Sequence, residues 1–207
     1  MEKNILLKIQ YDGTNFRGWQ RQPGQRTVQG EIEHVLQYLA GREISINGTS
    51  RTDRGVHALG QCASFVWDFP LPTEKLPFIL NSGAPGDIRI LEALEMPPDF
   101  HARFSCRGKT YRYIIERNGD IFRRNMAFQL ADSLDHAAMR EGTRFIVGTH
   151  DFKSFEASGG NPRETTVRTI SDLTVEEEGD RTVIEVTGDG FLYNMVRIMV
   201  GTLVEVG

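Results

Sequence analysis

An alternation of apolar and polar side chains near the start of the chain constrains the fold more than any other feature. Within residues 4–11 the apolar side chains occupy every second position, which predicts a β-strand with one buried face. These apolar residues are Ile5, Leu7, Ile9 and Tyr11. Thr27 is then a suitable N-cap for a helix with an apolar stripe over residues 28–39, and Gly41 ends that helix. Together, the strand and the helix predict a mixed α and β structure.

The same mixture of strands and single helices continues along the chain. Strands are predicted over residues 44–46, 59–67, 88–94, 109–117, 170–176 and 181–187, the last two as a hairpin. Helices are predicted over residues 74–80, 134–145 (capped by Asp132 or Ser133) and 191–206. We therefore predict an α+β protein with a single domain over residues 1–207. Its two packed halves, about 1–98 and 99–207, meet at the Met-Pro-Pro sequence of residues 96–98.

The composition is that of an ordinary globular protein. Hydrophobic residues make up 39% of the 207 residues, and the net charge is −4. Cys62 and Cys106 give no disulfide framework, which predicts a cytoplasmic protein, and no apolar run is long enough to cross a bilayer. The histidines and cysteines show no zinc spacing. No Walker loop, dinucleotide fingerprint or recognisable Ser or Cys nucleophile is present, so we expect a reaction without cofactor or metal.

The charges are unevenly distributed along the chain. Residues 101–125 contain seven Arg or Lys residues but only two acids, Glu116 and Asp120. Such segregation can give an acidic protein a basic face that attracts a polyanion such as RNA. Ordinary surface charge is the alternative interpretation.

Residues 49–57 form the densest polar stretch of the chain, and Asp53 is its candidate reactive group. In an extended segment Arg51 and Asp53 point to the same side, because side chains alternate with a period of two. A neighbouring guanidinium keeps a carboxylate ionised, as a nucleophile or general base requires. The alternative is that Asp53 is an ordinary turn or cap residue.

Two residues of the second half are further candidates. Arg197 lies in the middle of a helix that is apolar around most of its circumference, so we predict that it is buried and meets a carboxylate or a phosphate. An arginine that reaches solvent is the alternative. Tyr111 stands between Lys109 and Arg112, and an aromatic ring among cations can hold an unstacked base. The alternative is a core aromatic residue in a strand.

Four ordered segments resemble the tRNA pseudouridine synthase A family. They are residues 11–20 (YDGTNFRGWQ), 51–58 (RTDRGVHA), 109–113 (KTYRY) and 190–197 (GFLYNMVR), and the likeness extends from residue 4 to residue 207. The resemblance implies two ferredoxin-like halves with a joined, mainly antiparallel sheet and a central cleft. It also implies a homodimer that binds tRNA and converts uridine to pseudouridine at positions 38, 39 and 40 of the anticodon stem-loop, without cofactor or metal.

The resemblance also implies roles for individual residues. Asp53 is the essential aspartate, which could add to the uracil ring, attack C1′ or take the 2′ proton. Tyr111 lies under the target base, and Arg51 and Arg197 flank the carboxylate. The resemblance also places Arg17, Arg21 and Gln22 among the RNA contacts. From the residues alone, Arg54 beside Asp53 and Lys109 and Arg112 beside Tyr111 are further expected RNA-binding residues.

The chain departs from the family pattern in three places. Ser50 stands where relatives commonly have glycine, and Arg54 stands where many bacterial relatives have alanine, so Arg54 is either a phosphate contact or a solvated charge. Family members continue beyond residue 207, from which we expect a C-terminal truncation. Two other functions are compatible with the residues. One is an RNA-binding or RNA-folding protein without turnover, and the other is a metal-dependent phosphatase or hydrolase.

Overall fold

A computed structural model describes residues 2–160 and 164–207. The chain divides into two compact units, residues 1–106 and 107–207. The α+β class is confirmed, because the described residues form two β-sheets and four α-helices. The unit boundary follows Cys106, C-terminal to the Met-Pro-Pro midpoint. The sequence also predicts a single catalytic domain, a joined sheet and a central cleft. All three concern the arrangement of one unit relative to the other, and they stay predictions. No helix of the described residues is long and apolar enough to cross a membrane.

The first unit is a four-stranded antiparallel sheet with two helices. Its elements are β1 (Lys3–Tyr11), α1 (Val28–Ala40), β2 (Asn47–Gly48), β3 (Ala58–Trp67), α2 (Leu76–Gly83) and β4 (Ile88–Met96). The strand order is β2-β3-β1-β4. The predicted alternation is confirmed, since Ile5, Leu7 and Ile9 on the central strand β1 are fully buried and Tyr11 is nearly so.

Local chemistry explains where α1 begins and ends. The Thr27 side chain accepts a hydrogen bond from the Gly30 amide, and Gly41 ends the helix in the left-handed conformation, with φ 68°. The prediction of a strand over residues 44–46 was wrong, because hydrogen-bonded strand pairing begins only at β2. Ile44 and Ile46 are buried in the core without strand pairing.

The second unit is a five-stranded sheet with two helices. Its elements are β5 (Lys109–Glu116), β6 (Phe128–Gln129), α3 (His136–Thr143), β7 (Gly148–Asp151), β8 (Val167–Glu178), β9 (Arg181–Gly188) and α4 (Met195–Val206). The strand order is β6-β5-β9-β8-β7, with only the β5–β6 pair parallel among the described strands. The predicted hairpin is confirmed as β8 and β9, with Gly179 at φ 65° in the turn.

Two helix predictions in the second unit need correction. The N-cap of α3 is Asp135 rather than Asp132 or Ser133, and its carboxylate accepts hydrogen bonds from the amides of residues 137 and 138. Helix α4 starts at Met195 rather than at residue 191, after Asn194 in the left-handed conformation (φ 57°).

The prediction that α4 is buried nearly all round, with Arg197 inside, was wrong. Its buried residues share one side of the helix: Met195, Met199, Val200 and Leu203. Arg197 follows Met195 by two residues, so its side chain lies about 200° around the helix axis from that of Met195, outside the arc of the buried residues. Arg197 is accordingly exposed, so water can solvate its charge and the helix needs no buried partner for it.

Candidate functional site

Asp53 occupies the first position of a tight turn over residues 53–56. The Val56 amide donates to the Asp53 carbonyl oxygen at 3.2 Å, and Gly55 has φ 78° at the third position, where a type II turn needs glycine. The turn interpretation therefore holds for the backbone. The side chain is exposed, and its carboxylate makes no hydrogen bond or ion pair with the rest of the described residues 2–106.

Two glycines allow another loop to pack directly against the backbone of the Asp53 loop (residues 49–57). A Cβ atom at Gly13 would lie 2.0 Å from the Val56 carbonyl oxygen, and one at Gly18 would lie 2.6 Å from the Thr52 carbonyl oxygen. Gly18 also has φ 96°, which side chains disfavour. Only residues without a side chain fit these positions, so the segment after β1 fixes the position of the Asp53 turn.

Polar contacts reinforce this packing. The Tyr11 hydroxyl lies 2.7 Å from Thr52 Oγ1, and the Trp19 amide donates to the Thr52 carbonyl oxygen at 3.0 Å. From β3, Gln61 Nε2 donates to the Ser50 carbonyl oxygen at 2.7 Å. Sequence reasoning missed Tyr11 and Gln61 as supports of Asp53. The spacing of glycines in residues 11–20 was the available signal for this close approach.

His57 and Asp12 form a second link between the two loops. His57 Nδ1 lies 3.1 Å from both the Gly13 amide nitrogen and Asp12 Oδ1. When Nδ1 carries no hydrogen, it accepts a hydrogen bond from the Gly13 amide. When Nδ1 carries a hydrogen, it donates to Asp12 Oδ1 instead. Partial burial acts to raise the pKa of Asp12, but hydrogen bonds from the Thr14 hydroxyl and amide and the nearby imidazole outweigh it. The pKa of Asp12 is therefore lowered from 3.8.

The lowered pKa predicts a small pH-dependent contribution of Asp12 to stability. A depressed carboxylate pKa stabilises the folded state above the unfolded pKa, and this stabilisation is lost as the pH falls through the folded value. We expect Asp12→Asn to lower the free energy of unfolding by ~0.5 kcal/mol at neutral pH, because the group is only partly buried. Urea titrations should show no such deficit near pH ~2. An equal deficit at both pH values would contradict this assignment.

The predicted RNA-binding residues of the first unit are exposed. Arg51, Arg54, Arg17, Arg21 and Gln22 all reach solvent. No ion pair joins Arg51 or Arg54 to Asp53 within the described residues 2–106, so their roles stay predictions. The other three lie in one loop, which the Arg17 amide closes by donating to the Arg26 carbonyl oxygen at 2.9 Å.

Two arginines of that loop are held by acids to different degrees. Arg21 Nε lies 3.3 Å from Oε2 of the buried Glu33 and stays largely exposed. Arg26 instead forms a two-pronged ion pair with Asp87, at 2.8 Å for both contacts. Its guanidinium also lies 4.1 Å above the Phe16 ring. Arg21 therefore remains available to a ligand, whereas Arg26 supports the fold.

Tyr111 in the second unit is half-buried on β5. Its ring meets Phe191 edge to face, with the centroids 5.1 Å apart. Lys109 shares this face of the strand, because side chains alternate. Arg112 lies on the opposite face, where its Nε donates to Glu185 Oε1 at 2.7 Å. Only one of the two predicted cations therefore lies on the same face of β5 as Tyr111.

The candidate residues lie in two different units of the chain. Asp53 lies in the first unit, and Tyr111 and Arg197 lie in the second. Their convergence in one site stays a prediction. No group of three or more His, Cys, Asp or Glu side chains is placed to hold a metal ion in the part of the chain that the structure describes.

Comparison with known proteins supplies an independent finding. A family model described as tRNA pseudouridine synthase matches residues 8–105 and 144–207, which include Asp53 and Arg197 but not Tyr111. The chain is 47% identical over 212 residues to tRNA pseudouridine synthase A 2 of Clostridium tetani, covering 100% of this chain and 85% of the relative. It is 44% identical to tRNA pseudouridine synthase A of Acetivibrio thermocellus, covering 99% and 84%. It is also 47% identical to tRNA pseudouridine synthase A of Halalkalibacterium halodurans, over 99% of this chain and 79% of that relative.

Proposed function

The chain belongs to the tRNA pseudouridine synthase family, a family of isomerases, and we propose that it converts uridine to pseudouridine at positions 38, 39 and 40 of the tRNA anticodon stem-loop. One observation carries the assignment of Asp53 as its catalytic residue. The carboxylate is exposed at the start of a turn, without a partner in the described residues 2–106, while close backbone contacts hold that turn. This is how a reactive group is presented to a large substrate.

The proposed reaction needs an ionised carboxylate and no redox partner. The N1–C1′ bond breaks, the uracil turns, and a C5–C1′ bond forms. The hydrogen on C5 leaves as a proton and N1 gains a proton, so no net oxidation or hydrolysis takes place. Asp53 can serve this sequence by adding to the ring, by attacking C1′ or by taking the 2′ proton. Each role requires the carboxylate to lie against the target nucleotide.

Arg51 and Arg197 are proposed to hold Asp53 in its ionised form once tRNA covers it. Bound RNA removes water and adds phosphate charge, and both effects favour the protonated carboxyl. A guanidinium near the carboxylate offsets them. In support, both arginines are exposed, and neither forms an ion pair within the described residues of its own unit.

Tyr111 is proposed as the platform for the uracil that leaves its stack. Its ring is supported from the side by Phe191 and is only half-buried. We expect Tyr111→Phe to keep turnover within about threefold of wild type, because the ring remains. Tyr111→Ala should lower kcat by about a hundredfold and change tRNA affinity less. Single-turnover kinetics and filter binding give the two numbers.

Tyr113 provides the matched control for the Tyr111 variants. It lies on the same face of β5 and is also half-buried. If Tyr113→Ala lowered turnover as much as Tyr111→Ala, lost packing would explain both and the platform role would be wrong.

Release of tritium from tRNA labelled at uracil C5 tests the proposed function. Isomerisation exchanges the C5 hydrogen for the bond to C1′, so the label should appear in water at one equivalent per modified uridine, with or without EDTA. A protein that only binds or folds RNA would release none. Phosphate release from tRNA that disappears with EDTA, without any tritium release, would favour the metal-dependent phosphatase or hydrolase instead.

The proposed function includes its partners and its location. tRNA is the ligand of the exposed arginines, and two copies of the chain are proposed to bind it as a homodimer in the cytoplasm. The basic sequence of residues 101–125 supports the RNA partner. Sedimentation equilibrium with and without tRNA measures the number of protomers, and a monomer in both states would contradict the dimer.

A further inference from the structure

An exposed aromatic cluster follows β4 in the first unit. The side chain of Phe104 is 79% exposed. The His101 ring lies against it, with the centroids 4.5 Å apart and 38° between the ring planes. Arg103 Cζ lies 5.9 Å from the centroid of the Phe104 ring. Core packing does not account for a phenylalanine in this position, since most of its surface faces solvent. We refer to these three residues as the Phe104 cluster.

The backbone beneath the Phe104 cluster is anchored to the sheet. The amide of the buried Ala102 donates to Ser64 Oγ on β3 at 3.0 Å, and Asn4 on β1 donates to three carbonyl groups of the preceding segment. The Phe104 amide donates to the His101 carbonyl oxygen at 3.0 Å. The exposed ring is therefore presented by an ordered turn, and little backbone freedom is lost when a ligand covers it.

The chemistry of the cluster selects a nucleic acid with unpaired bases. An exposed aromatic face stacks on any nucleobase, and a neighbouring guanidinium contributes a cation–π contact and attracts phosphate. Residues 101–106 contain His101 and Arg103 and no acid, so a polyanion meets no like charge within this segment. Paired bases do not offer their faces for stacking, whereas loops and bulges do.

We propose that the Phe104 cluster is a second nucleobase-binding site, which stacks an unpaired base of the bound tRNA other than the uridine that reacts. This inference relies on the proposed function for the identity of the RNA. The cluster lies on the first unit, which also carries Asp53. Its role is to add affinity and to help set the register of the RNA, without touching the reacting atoms.

Substitutions at Phe104 test the site through tRNA affinity. With an unmodified tRNA transcript, we expect Phe104→Ala to raise Kd about tenfold and Phe104→Trp to leave Kd within about twofold of wild type. Phe78 on α2 is the matched control, because it belongs to the same unit and is equally exposed, at 78%. Phe78→Ala should bind as the wild type does.

Two further measurements identify the kind of contact. Arg103→Gln should reduce the slope of log Kd against log salt concentration by about one, whereas Phe104→Ala should leave the slope unchanged. A fully paired RNA duplex should bind wild type and Phe104→Ala equally well, because it has no free base to stack.

Several results would overturn the proposal. They are an unchanged Kd for tRNA in Phe104→Ala, an equal loss in Phe78→Ala, and an equal loss for the paired duplex. If Phe104→Ala changed the sedimentation coefficient of the protein as well as weakening tRNA binding, the Phe104 ring would make a protein–protein contact rather than an RNA contact. Failure of the proposed function would be seen in a different measurement. In that case the wild-type protein would release no tritium, irrespective of the Kd values of the Phe104 variants.

Discussion

Asp53→Asn is expected to lower pseudouridine formation by at least about a thousandfold while tRNA still binds with near wild-type affinity. The substitution keeps the size of the side chain and removes its charge, so none of the possible carboxylate roles can operate. Folding should be unaffected, because the exposed side chain makes no hydrogen bond or ion pair within the described residues 2–106. Tritium release measures turnover, filter binding measures Kd, and urea titration measures the free energy of unfolding.

Asp99→Asn is the matched control for loss of one negative charge. Asp99 is an exposed aspartate of the same unit, and its replacement should leave turnover unchanged. A thermal or urea midpoint that falls sharply in Asp53→Asn would show that Asp53 supports the fold. Lost turnover would then have a structural cause, and the catalytic assignment would no longer follow from it.

Gly13→Ala is expected to lower kcat by about a hundredfold with much less effect on tRNA affinity. The new Cβ would lie 2.0 Å from the Val56 carbonyl oxygen, and backbone atoms cannot give way as a flexible side chain can. The Asp53 turn must therefore move, and a shift of about 1 Å at a reacting group costs roughly this factor. The same clash should lower the free energy of unfolding by ~1–3 kcal/mol.

Gly86→Ala separates this clash from the general effect of replacing glycine. Gly86 is exposed in the same unit, and a Cβ atom there would meet nothing within 4 Å. We expect wild-type kcat and stability for this variant. Wild-type kcat in Gly13→Ala would mean that the packing of the two loops does not position Asp53.

The periodic parts of the fold could be predicted because each depends on neighbouring residues only. The alternation in β1 and the Thr27 and Gly41 caps of α1 are written in consecutive side chains, and the structure confirms them. Asp53 could be selected in the same way, because its loop concentrates charged and polar groups that a core would not tolerate.

The remaining features depend on contacts between distant segments. Arg197 is exposed because the opposite side of α4 is the buried one. The residues next to Arg197 in the sequence are apolar, so they do not indicate which side of the helix is buried. Leu59 lies in the strand predicted over residues 59–67 but is 67% exposed, because the pairing of β1 with β3 shifts between Ile9 and Tyr11. The contact between Tyr11 and Thr52 spans 41 residues and has no local signature.

The most direct test of the central claim maps pseudouridine in tRNA treated with the protein. Carbodiimide modification followed by primer extension stops the polymerase next to each pseudouridine. We predict stops that report positions 38, 39 and 40 after treatment with wild-type protein, and no stops after treatment with Asp53→Asn at equal tRNA occupancy. Stops of wild-type intensity with Asp53→Asn, or none with the wild-type protein, would contradict the claim that Asp53 isomerises these uridines.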